Sequence, residues 1–250
     1  MTHISSRKNS EIQRLRRLLD DPSFRRREQA FVCQGSVMLA EALKSGMDVE
    51  RVYCLESKLC DVPAGAPCVT VTPEIIEVIS GVESASGLVF TCRMPQKRHL
   101  SGSRFIALED VRDPGNVGTI IRTADALGID GVIMLGSCAD CFSPKVVRST
   151  MGSLFRLPLH FCTLDELRGF CTQNSIMLAA AELSEDACKL GQTELKAPCC
   201  VMIGNEARGL SESAVNCADC SYIIPMHGAE SLNAAVAASL FMWEMTRETL

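Results

Sequence analysis

Three stretches of the sequence place side chains that could hold and orient a ligand beside glycine-bearing turns. In DPGNVGTIIRTADALG (113–128), Asp113 and Pro114 start a turn, Gly115 and Gly118 allow close backbone approach, and Asn116 heads a helix with Arg122 in its second turn. In MIGNEARGLS (202–211), an apolar strand runs into Gly204 and is followed by Asn205, Glu206, Arg208 and Gly209. Glycine at a strand end leaves the backbone N–H and C=O open to a ligand. In IPMHGAESLNAAVA (224–237), a second apolar strand meets Pro225 and Gly228 before a helix opens near Ser231, with Asn233 close behind. The free N–H groups of a helix start favour anions and electron-rich atoms. Taken singly, each residue has a plainer reading: Arg122 as a surface helix residue, Glu206 as a capping or solvated carboxylate, Ser231 as an N-cap. Neither Gly-Lys-Ser/Thr nor G-x-G-x-x-G accompanies these turns, which argues against a nucleotide phosphate cradle.

The elements that must position these loops follow from hydrophobic period. Residues 10–20 place Ile12, Leu15, Leu18 and Leu19 at helical spacing behind Ser10, a candidate N-cap. Strands are expected at 30–33, 49–55 and 87–93, and helices at 36–46 and 72–81, the latter with Thr72 as cap and Pro73 in first position. This makes a small α/β domain over 1–93. MPQKRHLSGS (94–103) breaks the pattern with Pro, Gly, Ser and basic residues and reads as a linker. From 104 to 250 the rhythm is β-α-β, that of a parallel sheet: RFIALED, then the helix of the first loop, then GVIMLG. It continues with a helix near 144–153, strands at 157–161, 176–181, 199–205 and 221–226, a helix from Asp165, and the final alanine-rich helix. Ligands bind such sheets at the carboxyl ends of their strands, where all three loops fall.

Hydrophobic residues make up 47% and charged residues 22% of the 250-residue chain, the balance of a globular protein. No apolar run is long enough to span a membrane, and the polar, basic start is no secretory signal, so cytoplasm is expected. The net charge of −5 hides an uneven distribution. Residues 1–28 carry Arg7, Lys8, Arg14, Arg16, Arg17, Arg25, Arg26 and Arg27 against Glu11, Asp20, Asp21 and Glu28, and 93–104 add Arg93, Lys97, Arg98 and Arg104 without an acid. Such a basic face suits phosphate binding; on charge alone, a solvated helix face fits equally. Among 14 cysteines, Cys138/Cys141 and Cys217/Cys220 are both spelled C-A-D-C, a spacing that zinc sites use. Neither has a glycine-rich knuckle, and the other cysteines sit largely in apolar runs as small hydrophobes, so no metal is expected.

In combination the three loops resemble the SpoU (TrmH) family of the SPOUT superfamily, RNA ribose 2′-O-methyltransferases that use S-adenosylmethionine. The family's three motifs are matched in order by DPGNVGTIIRTADALG, MIGNEARGLS and IPMHGAESLNAAVA, and FSPKVVRSTMGSLFRLP (142–158) resembles its linking segment. The resemblance spans 104–250. Residues 1–93 resemble, less sharply, the family's small ribosomal-protein-like substrate domain, although Gln34 stands where Glu is commoner.

The resemblance implies an α/β protein with a C-terminal SPOUT domain, its parallel sheet tied in a deep trefoil knot, and a small N-terminal α/β substrate-binding domain. It implies S-adenosylmethionine bent in the knot and held largely by main-chain groups at Ile203, Gly204, Ile224, Met226 and Leu232. It assigns Arg122 to the ribose 2′-hydroxyl and its neighbouring phosphate. Asn116, Glu206, Ser231 and Asn233 complete the catalytic set, with Glu206 orienting a cationic or hydroxyl group and Asn233 supporting the substrate or Arg122. It further implies a homodimer through the knotted regions, in which Arg122 acts either within its own protomer or across the interface. Ribosomal RNA of the 23S type is the expected substrate, because minimal tRNA-modifying relatives often lack the added domain. A tRNA ribose methyltransferase and a catalytically silent RNA-binding protein stand as alternatives. Cofactor binding separates the latter from an enzyme.

Overall fold

The computed structural model describes residues 2–80, 86–96, 99–228 and 231–249. Gly81 of the helix expected at 72–81, Lys97 and Arg98 of the linker, and Ala229 and Glu230 of the third loop lie outside them. The chain forms two compact units, one of Met1–Gln96 with Asp140–Phe155, the other of Lys97–Ala139 with Arg156–Leu250. Asp140–Phe155 packs within the first unit although it lies inside the 104–250 stretch of sequence.

The first unit holds β1 (His3–Ile4), α1 (Ser10–Asp20), α2 (Pro22–Glu28), β2 (Ala30–Gln34), α3 (Ser36–Lys44), β3 (Val49–Cys54), β4 (Cys68–Val71), α4 (Pro73–Ser80) and β5 (Leu88–Arg93). Its sheet order is β1-β4-β3-β5-β2, with β5 antiparallel to both neighbours. Ile12, Leu15 and Leu18 bury the inner face of α1, as their spacing predicts. The cap is Asn9 rather than Ser10: its side-chain oxygen accepts from the Glu11 N–H at 2.8 Å. α2 has no counterpart in the hydrophobic period because Phe24 is its one large apolar residue; Asp21 starts it by accepting from the N–H groups of Ser23 and Phe24.

Several of the arginines counted above for a basic face are engaged within this unit, among them Arg93, which pairs with Glu50 at 2.9 Å. Arg25 is 2% exposed; its guanidinium donates to the Leu18 and Leu19 carbonyls and to Asp140 Oδ2, the last at 2.7 Å. Arg14 pairs with Glu28 and Glu50. A buried guanidinium needs such partners to offset its lost hydration, so composition overstated the charge available outside.

The second unit begins with β6 (Arg104–Glu109), α5 (Pro114–Ala126) and β7 (Gly131–Leu135). Within Asp140–Phe155, α6 (Pro144–Thr150) joins the first unit, where the rings of Phe142 and Phe155 lie 5.1 and 6.4 Å from Phe31. The second unit resumes with β8 (Leu159–Cys162), α7 (Leu164–Gln173), β9 (Met177–Ala181), β10 (Cys188–Lys189), β11 (Cys199–Ile203), α8 (Glu212–Cys217), β12 (Cys220–Ile223) and α9 (Ala234–Thr246). The sheet order is β10-β12-β9-β11-β6-β7-β8, and every pair is parallel. β6, β7 and β11 are covered on both faces, which explains their uninterrupted apolar runs.

The aspartates of the two C-A-D-C stretches hold backbone and arginine. Asp140 receives Arg25, and Asp219 accepts from the Leu178 N–H at 2.8 Å and pairs with Arg168 at 2.7 Å. Among the described residues no group of three or more His, Cys, Asp or Glu could hold a metal ion. Burial pushes Cys199 up to about 12 and Cys162 up to about 11, as expected of thiols that pack rather than react. For Asp219, burial acts to raise the pKa, but the Leu178 N–H and Arg168 outweigh it and hold the carboxyl below its ordinary value. A depressed carboxyl contributes stability above its unfolded pKa of about 3.9 and loses it as pH falls through the folded value. Asp219→Asn is therefore expected to flatten the acid limb of a stability–pH curve below about pH 4, measured by denaturant unfolding. An unchanged limb would mean that Asp219 contributes nothing there.

α9 packs on α5, β6 and β11, and Ala234, Ala235 and Ala238 are among its buried residues. Its other face is also apolar: Val236, Leu240 and Trp243 recur at helical spacing and are 48%, 39% and 51% exposed. A helix apolar all round is normally covered all round.

Candidate active site

Because the sheet is parallel, the loops after β6, β11 and β12 all leave from one edge. α5 begins at Pro114, two residues earlier than expected, because the Asp113 side chain caps it by accepting from the Asn116 N–H at 2.9 Å. Asn116 thus sits within the first turn and projects its amide towards the other two loops. α9 begins at Ala234 with Asn233 as its cap, its side-chain oxygen accepting from Ala235 and Val236 at 2.9 and 3.3 Å. Ser231 is not the cap; it lies upstream of the helix and lines the cavity described below.

Capping determines the direction of a hydrogen-bond chain. With its oxygen occupied by α9, Asn233 can offer only its NH2 group, and Nδ2 donates to Asn116 Oδ1 at 2.9 Å. Asn116 then donates through Nδ2 to Glu206 Oε1 at 2.8 Å. One residue from each motif is thereby joined, Asn233 to Asn116 to Glu206. The side-chain amide of Asn233 donates to Asn116, not to Arg122. Arg122 lies exposed on α5 and makes no hydrogen bond or ion pair among the described residues, so the structure does not draw it into this chain.

Asn205, quoted above only as part of its loop, ties the loops together. Its Nδ2 donates to the Asp110 carbonyl at 2.9 Å, and its Oδ1 accepts from the Ala207 and Arg208 N–H groups. Asn205 and Gly209 also exchange backbone hydrogen bonds of 3.0 and 2.8 Å, closing a tight turn over Gly204. An Asn after a strand-end glycine was the available signal; its partner 95 residues away in sequence was not.

Beside the chain of amides lies a cavity of about 510 Å³. Ile203, Gly204, Ile224, Met226 and Leu232, the five expected cofactor residues, all line it, as do Glu206 and Ser231. Asn116, Asn233 and Arg122 do not. Phe241 and Tyr222 add walls that the motifs did not suggest. A Cβ on Gly204 would lie 2.2 Å from both the Gly209 carbonyl carbon and the Leu210 nitrogen, so the backbones meet there as only glycine allows. Mostly apolar walls, exposed backbone at the strand ends and a few polar groups are what a small, partly apolar cofactor requires.

Comparison with known proteins defines the class first. Residues 103–243 match the model of the SpoU rRNA Methylase family, and residues 9–89 match an MRM3-like substrate binding domain, so this is a methyltransferase with a substrate-binding part ahead of it. The chain is 30% identical to the 23S rRNA (guanosine(2553)-2′-O)-methyltransferase RlmP of Bacillus subtilis, over 98% of this chain and 99% of that one. It also resembles, at a TM-score of 0.87 and 28% identity, an AdoMet-bound rRNA methyltransferase from Sinorhizobium meliloti, covering 100% of this chain and 98% of the other. The SpoU methyltransferase AviRb from Streptomyces viridochromogenes, in complex with AdoMet, gives a TM-score of 0.87 at 27% identity, over 96% and 98% of the two chains. The chain belongs to the SpoU rRNA methylase family, and its fold is the SPOUT fold.

Proposed function

We propose that this protein transfers the methyl group of S-adenosylmethionine to a ribose 2′-oxygen of large-subunit ribosomal RNA. The observation that carries the reading is the Asn233–Asn116–Glu206 chain, one member from each motif, beside a cavity lined by the five residues the resemblance assigned to the cofactor. The Bacillus subtilis and Sinorhizobium meliloti proteins, matched over nearly the whole chain, are named rRNA methyltransferases, which favours rRNA over tRNA. The division into a substrate-binding part (1–93), a linker (94–103) and a methyltransferase part (104–250) belongs to the same reading, as does a cytoplasmic location; among the described residues no helix is long and apolar enough to cross a membrane.

The cavity suits the cofactor: Ile203, Ile224, Met226 and Leu232 offer apolar surface, and Gly204 keeps backbone groups accessible. When bound, S-adenosylmethionine supplies an electrophilic methyl group on a sulfonium. Glu206 faces the same cavity and is held by Asn116, which keeps a carboxylate oriented where positive charge is lost. Ser231 offers a hydroxyl at the cavity wall. Arg122, without a hydrogen bond or ion pair among the described residues, is left to hold the ribose 2′-hydroxyl with its adjacent phosphate and to stabilise the developing alkoxide. It does so by charge and position, since a guanidinium stays protonated and cannot serve as a base.

The active form in this reading is a homodimer with Arg122 acting across the interface. The apolar stripe of Val236, Leu240 and Trp243 on α9 supports it. Trp243→Glu is expected to shift sedimentation from dimer to monomer and to reduce methyl transfer; a wild-type monomer would sink the dimer. The trefoil knot is part of the same proposal, supported by the insertion of β11 between β6 and β9 with β12 on the far side of β9.

The test uses methyl-labelled S-adenosylmethionine and total RNA from cells lacking the protein, followed by alkaline hydrolysis. Alkali cleaves only next to a free 2′-hydroxyl, so ribose methylation leaves labelled dinucleotides in large-subunit RNA. Label in mononucleotides would mean base methylation and overturn the mechanism.

A further inference from the structure

Asp110, just after β6, is held in an unusual state. Its backbone is left-handed, at φ 54°, and its carbonyl receives Asn205 Nδ2 at 2.9 Å. Its Oδ1 accepts from the Ser137 N–H. The remaining oxygen, Oδ2, faces two guanidiniums at once, Arg112 at 3.9 Å and Arg208 at 3.7 Å. Both distances exceed a hydrogen bond. The two arginine side chains are 61% and 69% exposed, and neither has another hydrogen bond or ion pair among the described residues. Arg208 also lines the cavity, and Asn205 anchors its backbone N–H. Two cations thus converge on a single carboxylate oxygen, each with most of its donors unused, and Asn205 ties the Asp110 and Arg208 backbones.

We propose that Arg112 and Arg208 form a two-arginine clamp for an RNA backbone phosphate at the mouth of the cavity, with Asp110 as the counter-ion that aligns them until RNA arrives. The proposal rests on the methyltransferase reading above and adds to it the residues that hold the strand beside the reacting ribose. A phosphate offers several acceptor oxygens where Asp110 offers one, and planar guanidinium forks match it with paired hydrogen bonds. Asp110 keeps two like charges together in the free protein and competes with RNA for them.

The test is equilibrium binding of an unmodified large-subunit rRNA transcript across a potassium chloride series, with S-adenosylmethionine affinity measured by calorimetry, for Arg112→Ala, Arg208→Ala and Asp110→Asn. Each alanine variant is expected to weaken RNA binding about tenfold. Each should also lower the slope of log affinity against log salt by about 0.7 to 0.9, the signature of one lost phosphate contact, with cofactor affinity unchanged. Asp110→Asn keeps the side-chain acceptor and tolerates the left-handed backbone, so removing its charge should tighten RNA binding. Unchanged affinity and slope in the alanine variants would overturn the clamp. So would weaker RNA binding by Asp110→Asn, which would make the arginines mere structural partners. Loss of cofactor affinity in Arg208→Ala would assign that arginine to the cofactor's carboxylate instead. A wild-type protein that binds the transcript without methylating its ribose would defeat the reaction and leave the clamp standing; one that does not bind it would defeat both.

Discussion

Arg122→Ala is expected to lower methyl transfer by about 10²–10³-fold or more, while S-adenosylmethionine binds as before. The split follows from where Arg122 is. It lies exposed on α5, has no partner among the described residues whose loss would disturb the fold, and does not line the cavity of Ile203, Gly204, Ile224, Met226 and Leu232. Substitutions at such surface positions usually change stability by no more than about 0.5 kcal/mol. Its charge therefore matters only to what approaches from outside. Arg122→Lys keeps the charge and loses the planar fork, so partial recovery is expected. Turnover on rRNA and calorimetric titration with S-adenosylmethionine check the pair of effects. If Arg122→Ala removed cofactor binding instead, its assignment to the ribose would be wrong.

The second large effect is expected at Gly204. An added Cβ would stand 2.2–2.4 Å from the backbone of Gly209 and Leu210, and no side-chain rotation relieves a clash with backbone. The turn would have to open, breaking the hydrogen bonds that Asn205 and Gly209 exchange and displacing Glu206 and Arg208 with it. Gly204→Ala should cost about 1–3 kcal/mol in stability and abolish measurable binding of S-adenosylmethionine, since the same backbone lines the cavity. Gly169→Ala in α7 is the control. Nothing lies within 4 Å of its added Cβ, and the change should be neutral or slightly stabilising. A Gly204→Ala protein that bound the cofactor normally would refute the close backbone packing described here.

Much of this architecture was legible from hydrophobic period. The strands at β2, β3, β5, β6, β7, β9 and β11 stand where apolar runs placed them, as do the inner faces of α1 and α5. Elements without an apolar period escaped. α2 is held by one aspartate cap and one phenylalanine, and β1 and β10 are two-residue strands defined by their neighbours. Local chemistry misled at the ends of helices: Asn9 and Asn233, not Ser10 and Ser231, carry the caps, because several adjacent residues could cap and the turn geometry chooses among them.

For the site, it was the resemblance of the three motifs to the SpoU family that singled out Asn116, Arg122, Glu206, Ser231 and Asn233; each residue type alone had a plainer reading. Their joining was not legible. The hydrogen bonds from Asn233 to Asn116 and from Asn116 to Glu206 cross 117 and 90 residues of chain, and only the parallel sheet brings those strand ends to one edge. The same holds for Arg25, which composition counted as surface charge and the fold buries against Asp140. Sequence alone determined the elements and the chemical groups, because period, caps and side-chain type act over a few residues. Tertiary structure alone decided which groups meet, which way their hydrogen bonds run, and which charges stay free, because those depend on strand order and burial between distant segments.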